Sequence, residues 1–197
     1  MGIMQTLEVL NGMVADGVID TYAIGRAVAA YNYVEATMTE DLDILVSLDA
    51  EVFQNRSGII NLQPILSYLA NKGYTEFHRE GVMIEGWPVQ FLPVADDLDH
   101  EALYTAHSVS ISLAAGTEAI ETRILRPEHV IAAALKTGRP KDMMRIAQFI
   151  EERAFDRDML EKTLERHRLT ALWNEACDRL NQAGHKYEHS NSPDPGN

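Results

Sequence analysis

Thr39-Glu40-Asp41-Leu42-Asp43-Ile44-Leu45-Val46 combines an acidic face and an apolar face in a single extended segment. Because successive side chains of a β-strand point to opposite faces, Asp41 and Asp43 share one face, and Leu42, Ile44 and Val46 share the other. Two carboxylates held about 6–7 Å apart at Cα repel each other unless a cation or a proton lies between them. Since Mg²⁺ takes one or two carboxylates together with water and phosphate oxygens, the segment predicts a metal-assisted phosphoryl or nucleotidyl transfer site. The alternative is a solvated strand edge.

A strand, a glycine and a helix precede this acidic segment. Thr21-Tyr22-Ala23-Ile24 predicts a short buried strand, and a helix is expected over residues 25–34, beginning at Gly25. A glycine at this junction lets a phosphate approach the backbone, and a helix N-terminus offers unpaired N–H groups to it. Together with the acidic strand, expected over residues 41–48, the unit predicts both halves of a nucleoside triphosphate site: a phosphate cradle and metal ligands.

Composition narrows the class of protein. With 197 residues, of which 46% are hydrophobic and 24% charged, the chain is long enough for one sizeable domain with a helical appendage. No apolar stretch approaches the ~20 residues that span a bilayer, and the N-terminus lacks the pattern of a secretion signal. The single cysteine, Cys177, fits a reducing compartment and a structural, buried thiol. We therefore expect a cytoplasmic protein without a membrane partner.

The net charge of the chain makes one class of binding partner, extended nucleic acid, unlikely. The chain carries a formal charge of −13, and its basic residues are scattered. Because phosphate contacts supply much of the affinity for nucleic acid, an extended DNA or RNA tract is an unlikely partner. A small contact, such as one RNA end, remains open.

Hydrophobic spacing predicts the remaining elements. Met4, Leu7, Leu10 and Met13 indicate an amphipathic helix over residues 1–15. Further expected elements are a helix from 61 to about 73, extended segments at 75–78, 81–85 and 88–93, a helix over 98–107, a strand over 118–125, and helices over 127–135, 142–155, 157–167 and 169–182. We expect an α/β core over 1–126, a helical region packed on it over 127–182, and a disordered tail over 183–197.

Several of these segments together resemble the nucleotidyltransferase (polymerase-β-like) superfamily. Within it, the chain is most similar to minimal bacterial nucleotidyltransferases related to abortive-infection toxins. The likeness covers residues 20–155 and rests on Gly25 followed by the Asp41-Leu42-Asp43 strand, on Gly86-Trp87-Pro88-Val89-Gln90-Phe91-Leu92-Pro93, on Leu125-Arg126-Pro127-Glu128-His129-Val130-Ile131-Ala132, and on Arg139-Pro140-Lys141-Asp142.

The resemblance implies an α/β (α+β) fold, with a mixed sheet flanked by helices and a C-terminal helical region. It also implies transfer of a nucleoside monophosphate from a triphosphate to an acceptor hydroxyl, assisted by Mg²⁺ or Mn²⁺. In this scheme Asp41 and Asp43 hold the metal, and Gly25 with the adjacent backbone receives the triphosphate. Lys141 and Arg139 neutralise phosphate charge and Asp142 orients the site, although Lys141 and Asp142 also suit a plain helix N-terminus.

Two departures from the superfamily pattern leave the activity open. Arg26 stands where a second small residue is usual, and it either contacts a phosphate or blocks the cradle. Gln90 stands where active members carry a third carboxylate; as a cofactor-binding residue it can accept a hydrogen bond from metal-bound water, but it is a poor Mg²⁺ ligand beside carboxylates. The sequence is therefore compatible with an active nucleotidyltransferase acting on a protein, a small molecule or an RNA end. It is also compatible with a catalytically degenerate, toxin–antitoxin-like binding or regulatory protein, and in either case a homodimer is possible.

Overall fold

A computed structural model of the chain describes residues 2–30, 32–34, 41–47, 61–112 and 119–182. The chain divides into two compact units. Among the described residues, the first unit extends to Arg126 without residues 33–34, which belong to the second unit together with residues 127–182. The expected tail over 183–197 and the beginning of the acidic segment, Thr39 and Glu40, lie outside the described residues.

The first unit is built on a seven-stranded mixed sheet. Its described strands are β1 Thr21–Ile24, β2 Leu42–Ser47, β3 Phe77–His78, β4 Gly81–Ile84, β5 Trp87–Pro93, β6 His107–Ile111 and β7 Ile120–Ile124. Their order across the sheet is β3-β4-β5-β2-β1-β7-β6. Strand β2 runs antiparallel to β1 and parallel to β5, and β1 runs parallel to β7. The acidic strand is therefore an interior strand of the sheet.

Among the described residues, four helices accompany this sheet: α1 Ile3–Ala15, α2 Arg26–Ala30, α3 Gln63–Asn71 and α4 Asp97–Tyr104. Helix α1 buries Met4, Leu7, Leu10 and Met13, as the sequence predicts, and it packs against β7 and β1. Helix α4 packs against β2 and begins where the Asp96 side chain accepts a hydrogen bond from the Asp99 amide at 3.0 Å. Helices α2 and α4 thus pack against β2, the strand that carries the acidic segment.

The second unit is helical. It contains α5 Pro127–Thr137, α6 Pro140–Glu152, α7 Arg157–Arg166 and α8 Thr170–Gln182. Helices α5 and α6 both begin at a proline, whose missing N–H would be unpaired in a first turn in any case. Helix α5 packs against the other three helices, and its buried Glu128 accepts a 2.8 Å hydrogen bond from the Asp156 amide at the start of α7. None of the described helices has the length and apolar character that a membrane crossing requires.

The mixed sheet flanked by helices confirms the predicted fold class, but several element boundaries differ from the prediction, two of them by three residues or more next to the sheet. The helix expected over 98–107 ends at Tyr104, and His107 already begins strand β6. The Thr105 hydroxyl donates to the Glu101 carbonyl at 2.7 Å and satisfies an acceptor at the helix end. The helix expected over 25–34 is only α2, Arg26–Ala30, and a turn occupies residues 32–33.

Candidate functional site

Strand β2 holds the acidic pair at the start of an interior strand. Asp43 is 5% exposed, and Leu42, Ile44, Leu45 and Val46 are buried with it, so both faces of the strand are covered. Asp41 is half-buried and lies immediately before the first residue of the strand. Because β2 lies between β1 and β5, the alternative of a solvated strand edge does not apply to Asp43.

Gln90 lies directly beside Asp43 on the neighbouring parallel strand. The register of β2 and β5 pairs these two residues, so their side chains emerge on the same face of the sheet. The Gln90 Nε2 atom donates a 2.6 Å hydrogen bond to the Oε2 atom of Glu80. The side chain next to Asp43 is thus an amide, and this amide is hydrogen-bonded to the carboxylate of Glu80.

A cavity of about 180 Å³ opens next to this group. It is lined by Asp41, His78, Arg79, Glu80, Gly81, Pro88 and Gln90. The cavity therefore contains one member of the acidic pair together with the hydrogen-bonded Gln90 and Glu80.

His78, Arg79 and Glu80 enter this cavity because β3 and β4 form a hairpin closed by a two-residue turn, Arg79-Glu80. Arg79 has a φ of 55°, in the left-handed region that such tight hairpin turns use. A Cβ atom on Gly81 would lie 3.0 Å from the Val89 backbone nitrogen, so the glycine permits the close approach of β4 to β5. Sequence reasoning missed these three residues, although the gap of two residues between the extended segments at 75–78 and 81–85 was a hairpin signal.

Arg26 forms an ion pair with the buried Asp43. Its Nη1 atom lies 3.6 Å from the Oδ1 atom of Asp43, and its side chain is 31% exposed. Arg26 also has a φ of 47°, an uncommon value for a residue with a side chain. The guanidinium therefore stands between the buried carboxylate and solvent at the junction of β1 and α2.

Gly25 takes part in the sheet rather than in an open loop. Its N–H donates a 2.8 Å hydrogen bond to the carbonyl oxygen of Asp43, and its own carbonyl accepts from the Ala29 amide at 3.2 Å. The backbone N–H that would approach a phosphate is thus already paired, and helix α2 behind it is only five residues long. The role of Gly25 in receiving a triphosphate stays a prediction.

The remaining predicted site residues belong to the second unit. The carboxylate of Asp142 is 1% exposed and accepts hydrogen bonds from Arg139 Nε at 2.6 Å, Thr137 Oγ1 at 2.8 Å and Arg145 Nη1 at 3.1 Å. Burial alone would raise the pKa of Asp142, but the hydrogen bonds from Arg139 and Thr137 and the charges of both arginines lower it overall. Lys141 is exposed at the start of α6. The assignment of Lys141 and Asp142 to catalysis, and of Arg139 to phosphate binding, stays a prediction.

The acidic pair fits one divalent cation better than two. Mg²⁺ takes one or two protein carboxylates together with water and substrate phosphate oxygens, and the assignment of Asp41 and Asp43 to that role stays a prediction. Across residues 2–30, 32–34, 41–47, 61–112 and 119–182, however, no group of three or more His, Cys, Asp or Glu side chains is arranged to hold a metal ion. An amide such as that of Gln90 is a poor Mg²⁺ ligand beside carboxylates. The described residues therefore do not supply a complete two-metal centre.

Comparison with known proteins shows the fold. No protein-family model matches the chain, and no curated protein matches it. An antigenic nucleotidyltransferase-like protein from Paracoccidioides brasiliensis is similar in structure, with a TM-score of 0.51 at 15% identity over 94% of this chain and 93% of that one. The antibiotic-resistance factor ANT(2″)-Ia matches with a TM-score of 0.44 at 15% identity over 93% of this chain and 98% of that one. On the first of these similarities and the mixed sheet, the chain has the nucleotidyltransferase fold.

Proposed function

We propose that this chain binds a nucleoside triphosphate beside strand β2 and transfers the nucleoside monophosphate to an acceptor hydroxyl. In that reaction the acceptor oxygen forms a bond to the α-phosphorus, the bond from this phosphorus to the bridging oxygen breaks, and pyrophosphate and the acceptor proton leave. The observation that supports the proposal is the Asp41 and Asp43 pair at the start of an interior strand, with Asp41 lining a cavity of about 180 Å³.

Asp41 and Asp43 would hold one Mg²⁺ or Mn²⁺ ion, which neutralises charge on the phosphate oxygens when bound. Phosphoryl-type transfer depends mainly on positioning and charge neutralisation, so the chain's own contribution is to fix these groups. Gln90 holds the Glu80 carboxylate at the cavity by a 2.6 Å hydrogen bond, and Arg26 offers a positive charge beside Asp43. These contacts supply polar groups on two sides of the acidic pair.

A second candidate is a catalytically degenerate protein that binds a nucleotide or a partner protein, as in a toxin–antitoxin-like interaction. Two observations favour it: Gln90 stands beside Asp43 where active members of the superfamily carry a carboxylate, and Arg26 is paired with Asp43. Under the first proposal the acceptor is a protein, a small molecule or an RNA end in the cytoplasm. The charge of −13 makes an extended nucleic acid a poor acceptor in either case.

Calorimetric titration of each ribonucleoside triphosphate in the presence of Mg²⁺ tests the location of the site. We expect Asp43→Asn to weaken binding by about tenfold or more. Asp20→Asn is the matched control, because Asp20 is an exposed carboxylate just before β1, near Ser47 at the far end of β2. Equal binding by wild type and Asp43→Asn would contradict the proposal.

Pyrophosphate release then separates the two candidate functions. An active enzyme releases pyrophosphate from a bound triphosphate when a protein, small-molecule or RNA acceptor is added, and Asp43→Asn abolishes this release. A degenerate protein binds the triphosphate and releases none. Gln90→Glu restores a third carboxylate beside Asp43, and renewed pyrophosphate release in this variant alone would assign the missing turnover to that position.

A further inference from the structure

Asp43 is a buried carboxylate whose charge is compensated by a side chain of the chain itself. Burying an ionised carboxylate is unfavourable unless a positive or hydrogen-bonding partner accompanies it. Asp43 is 5% exposed, and the Arg26 guanidinium lies 3.6 Å from its Oδ1 atom. The neighbouring position on β5 is the neutral Gln90, so that neighbour adds no further negative charge. Arg26 therefore supplies positive charge where the resemblance would place a metal ion.

The backbone holds Arg26 in this position. Its φ of 47° is a conformation that residues with side chains adopt at a cost, and such conformations persist where the surroundings enforce them. The residue before it, Gly25, is hydrogen-bonded through its N–H to the Asp43 carbonyl at 2.8 Å. The main chain of Gly25 and the side chain of Arg26 thus both connect the junction between β1 and α2 to Asp43.

Arg26 also keeps part of its guanidinium available to a ligand. Its side chain is 31% exposed, while the carboxylate that it faces is buried. A guanidinium carries five N–H donors in a planar fork that suits a phosphate, and it holds its charge at every physiological pH. The Gly25 N–H is already paired, so the Arg26 side chain is the better placed of the two groups to meet a triphosphate.

We propose that, when no divalent cation is bound, the Arg26 guanidinium takes its place beside Asp43 and binds the triphosphate directly. Nucleotide binding to this chain then does not require a metal ion. The inference rests on the proposed function only in so far as a nucleoside triphosphate binds beside β2. Its first half, the competition between Arg26 and a divalent ion for Asp43, is independent of any nucleotide.

Direct Mn²⁺ binding, followed by electron paramagnetic resonance without nucleotide, tests that first half. We expect wild type to bind Mn²⁺ weakly and Arg26→Met to bind it about tenfold or more tightly, because the Asp43 carboxylate loses its competing cation. Adding Asp43→Asn to Arg26→Met removes the gain. Equal Mn²⁺ affinity of wild type and Arg26→Met would overturn the inference.

Nucleotide titration in EDTA tests the second half. Wild type is expected to bind a ribonucleoside triphosphate in EDTA, and Arg26→Met to lose about tenfold or more of that affinity. If wild type binds only when Mg²⁺ is added, the inference is wrong and the proposed function stands. If no triphosphate binds with or without Mg²⁺, both the proposed function and the phosphate-binding role of Arg26 are wrong.

Two further variants separate the role of the Arg26 charge from an effect of the substitution on folding. Arg26→Lys keeps the positive charge but lacks the planar fork, so it is expected to give intermediate values in both titrations. The double variant Arg26→Met/Asp43→Asn removes both charges together and leaves no uncompensated carboxylate. Thermal unfolding of each variant in EDTA confirms that the compared proteins are folded. An Arg26→Lys variant indistinguishable from Arg26→Met in both titrations would overturn the role of charge at this position.

Discussion

Asp142 is a buried carboxylate held by donors from three directions. Thr137 at the end of α5, Arg139 before α6 and Arg145 one turn along α6 all donate to it. These contacts connect two successive helices across the break at residues 138–139. The alternative reading of Asp142 as part of a helix N-terminus has direct support in this geometry, whereas a catalytic role has none within the second unit.

Asp142→Asn is expected to destabilise the chain by about 2–4 kcal/mol, because it leaves Arg139 and Arg145 without their negative partner. The folded state lowers the pKa of Asp142 below its ordinary value. The stabilising contribution of the carboxylate is therefore fully present above that value and is lost as the pH falls through the lower, folded-state pKa. Urea unfolding at a series of pH values measures this difference.

Asp158→Asn is the control for this measurement. Asp158 is an exposed acidic residue in the first turn of α7, where it gains only the smaller stabilisation of a helix N-terminus. A stability difference between wild type and Asp142→Asn that stays constant from neutral to strongly acidic pH would show that the charge of Asp142 does not stabilise the fold.

Among the helices and strands, the sequence correctly predicted the elements that their own hydrophobic spacing determines. The spacing of Met4, Leu7, Leu10 and Met13 places α1 correctly, because an amphipathic helix buries one stripe whatever lies beneath it. Strand β6 was missed because its signal is short: His107, Val109 and Ile111 are half-buried, and the serines between them are exposed. That alternation lies directly after a helix, and only its first residue, His107, fell within the helix predicted over 98–107.

The candidate site could be predicted only in part, because some of its contacts depend on distant strands and on backbone conformation. Asp41, Asp43 and Gln90 are visible in the sequence, and the pairing of Asp43 with Gln90 follows once β2 and β5 are placed in register. The contact between Gln90 and Glu80 depends on a third strand and its turn. The pairing of Arg26 with Asp43 depends on a backbone conformation that a sequence pattern does not specify.

The β4–β5 hairpin offers a test at this scale. Its turn, Glu85-Gly86, has positive φ at both residues, 50° and 90°, as a type I′ turn requires. Gly86→Ala is expected to destabilise the chain by about 1 kcal/mol through backbone strain. No atom lies within 4 Å of an added Cβ, so a steric clash contributes nothing. Thermal or urea unfolding gives the value.

Gly86→Asn is the matched variant, because asparagine tolerates the left-handed region better than alanine does. The expected order of stability is wild type, then Gly86→Asn, then Gly86→Ala. Equal stability of the two variants would mean that a factor other than backbone conformation controls this turn.

In the molecule as a whole, the single thiol, that of Cys177, lies inside the second unit. Cys177 on α8 is 0% exposed, and burial, followed by the charge of Asp178, raises the pKa of its thiol to about 12. Because the thiolate is the reactive species, the native protein is protected both by exclusion of the reagent and by the scarcity of thiolate. Labelling of Cys177 therefore reports opening of the second unit.

We expect an aromatic disulfide reagent to leave Cys177 unmodified in the native protein at mildly alkaline pH and to modify it fully in urea. Asp142→Asn lies in the same unit and weakens the connection between α5 and α6, so this variant is expected to be labelled faster than wild type under native conditions. Asp158→Asn, with its exposed carboxylate, is expected to be labelled at the wild-type rate. Rapid stoichiometric labelling of native wild type would contradict the buried position of Cys177, because a thiol with a pKa of about 12 reacts rapidly only when the surrounding helices open.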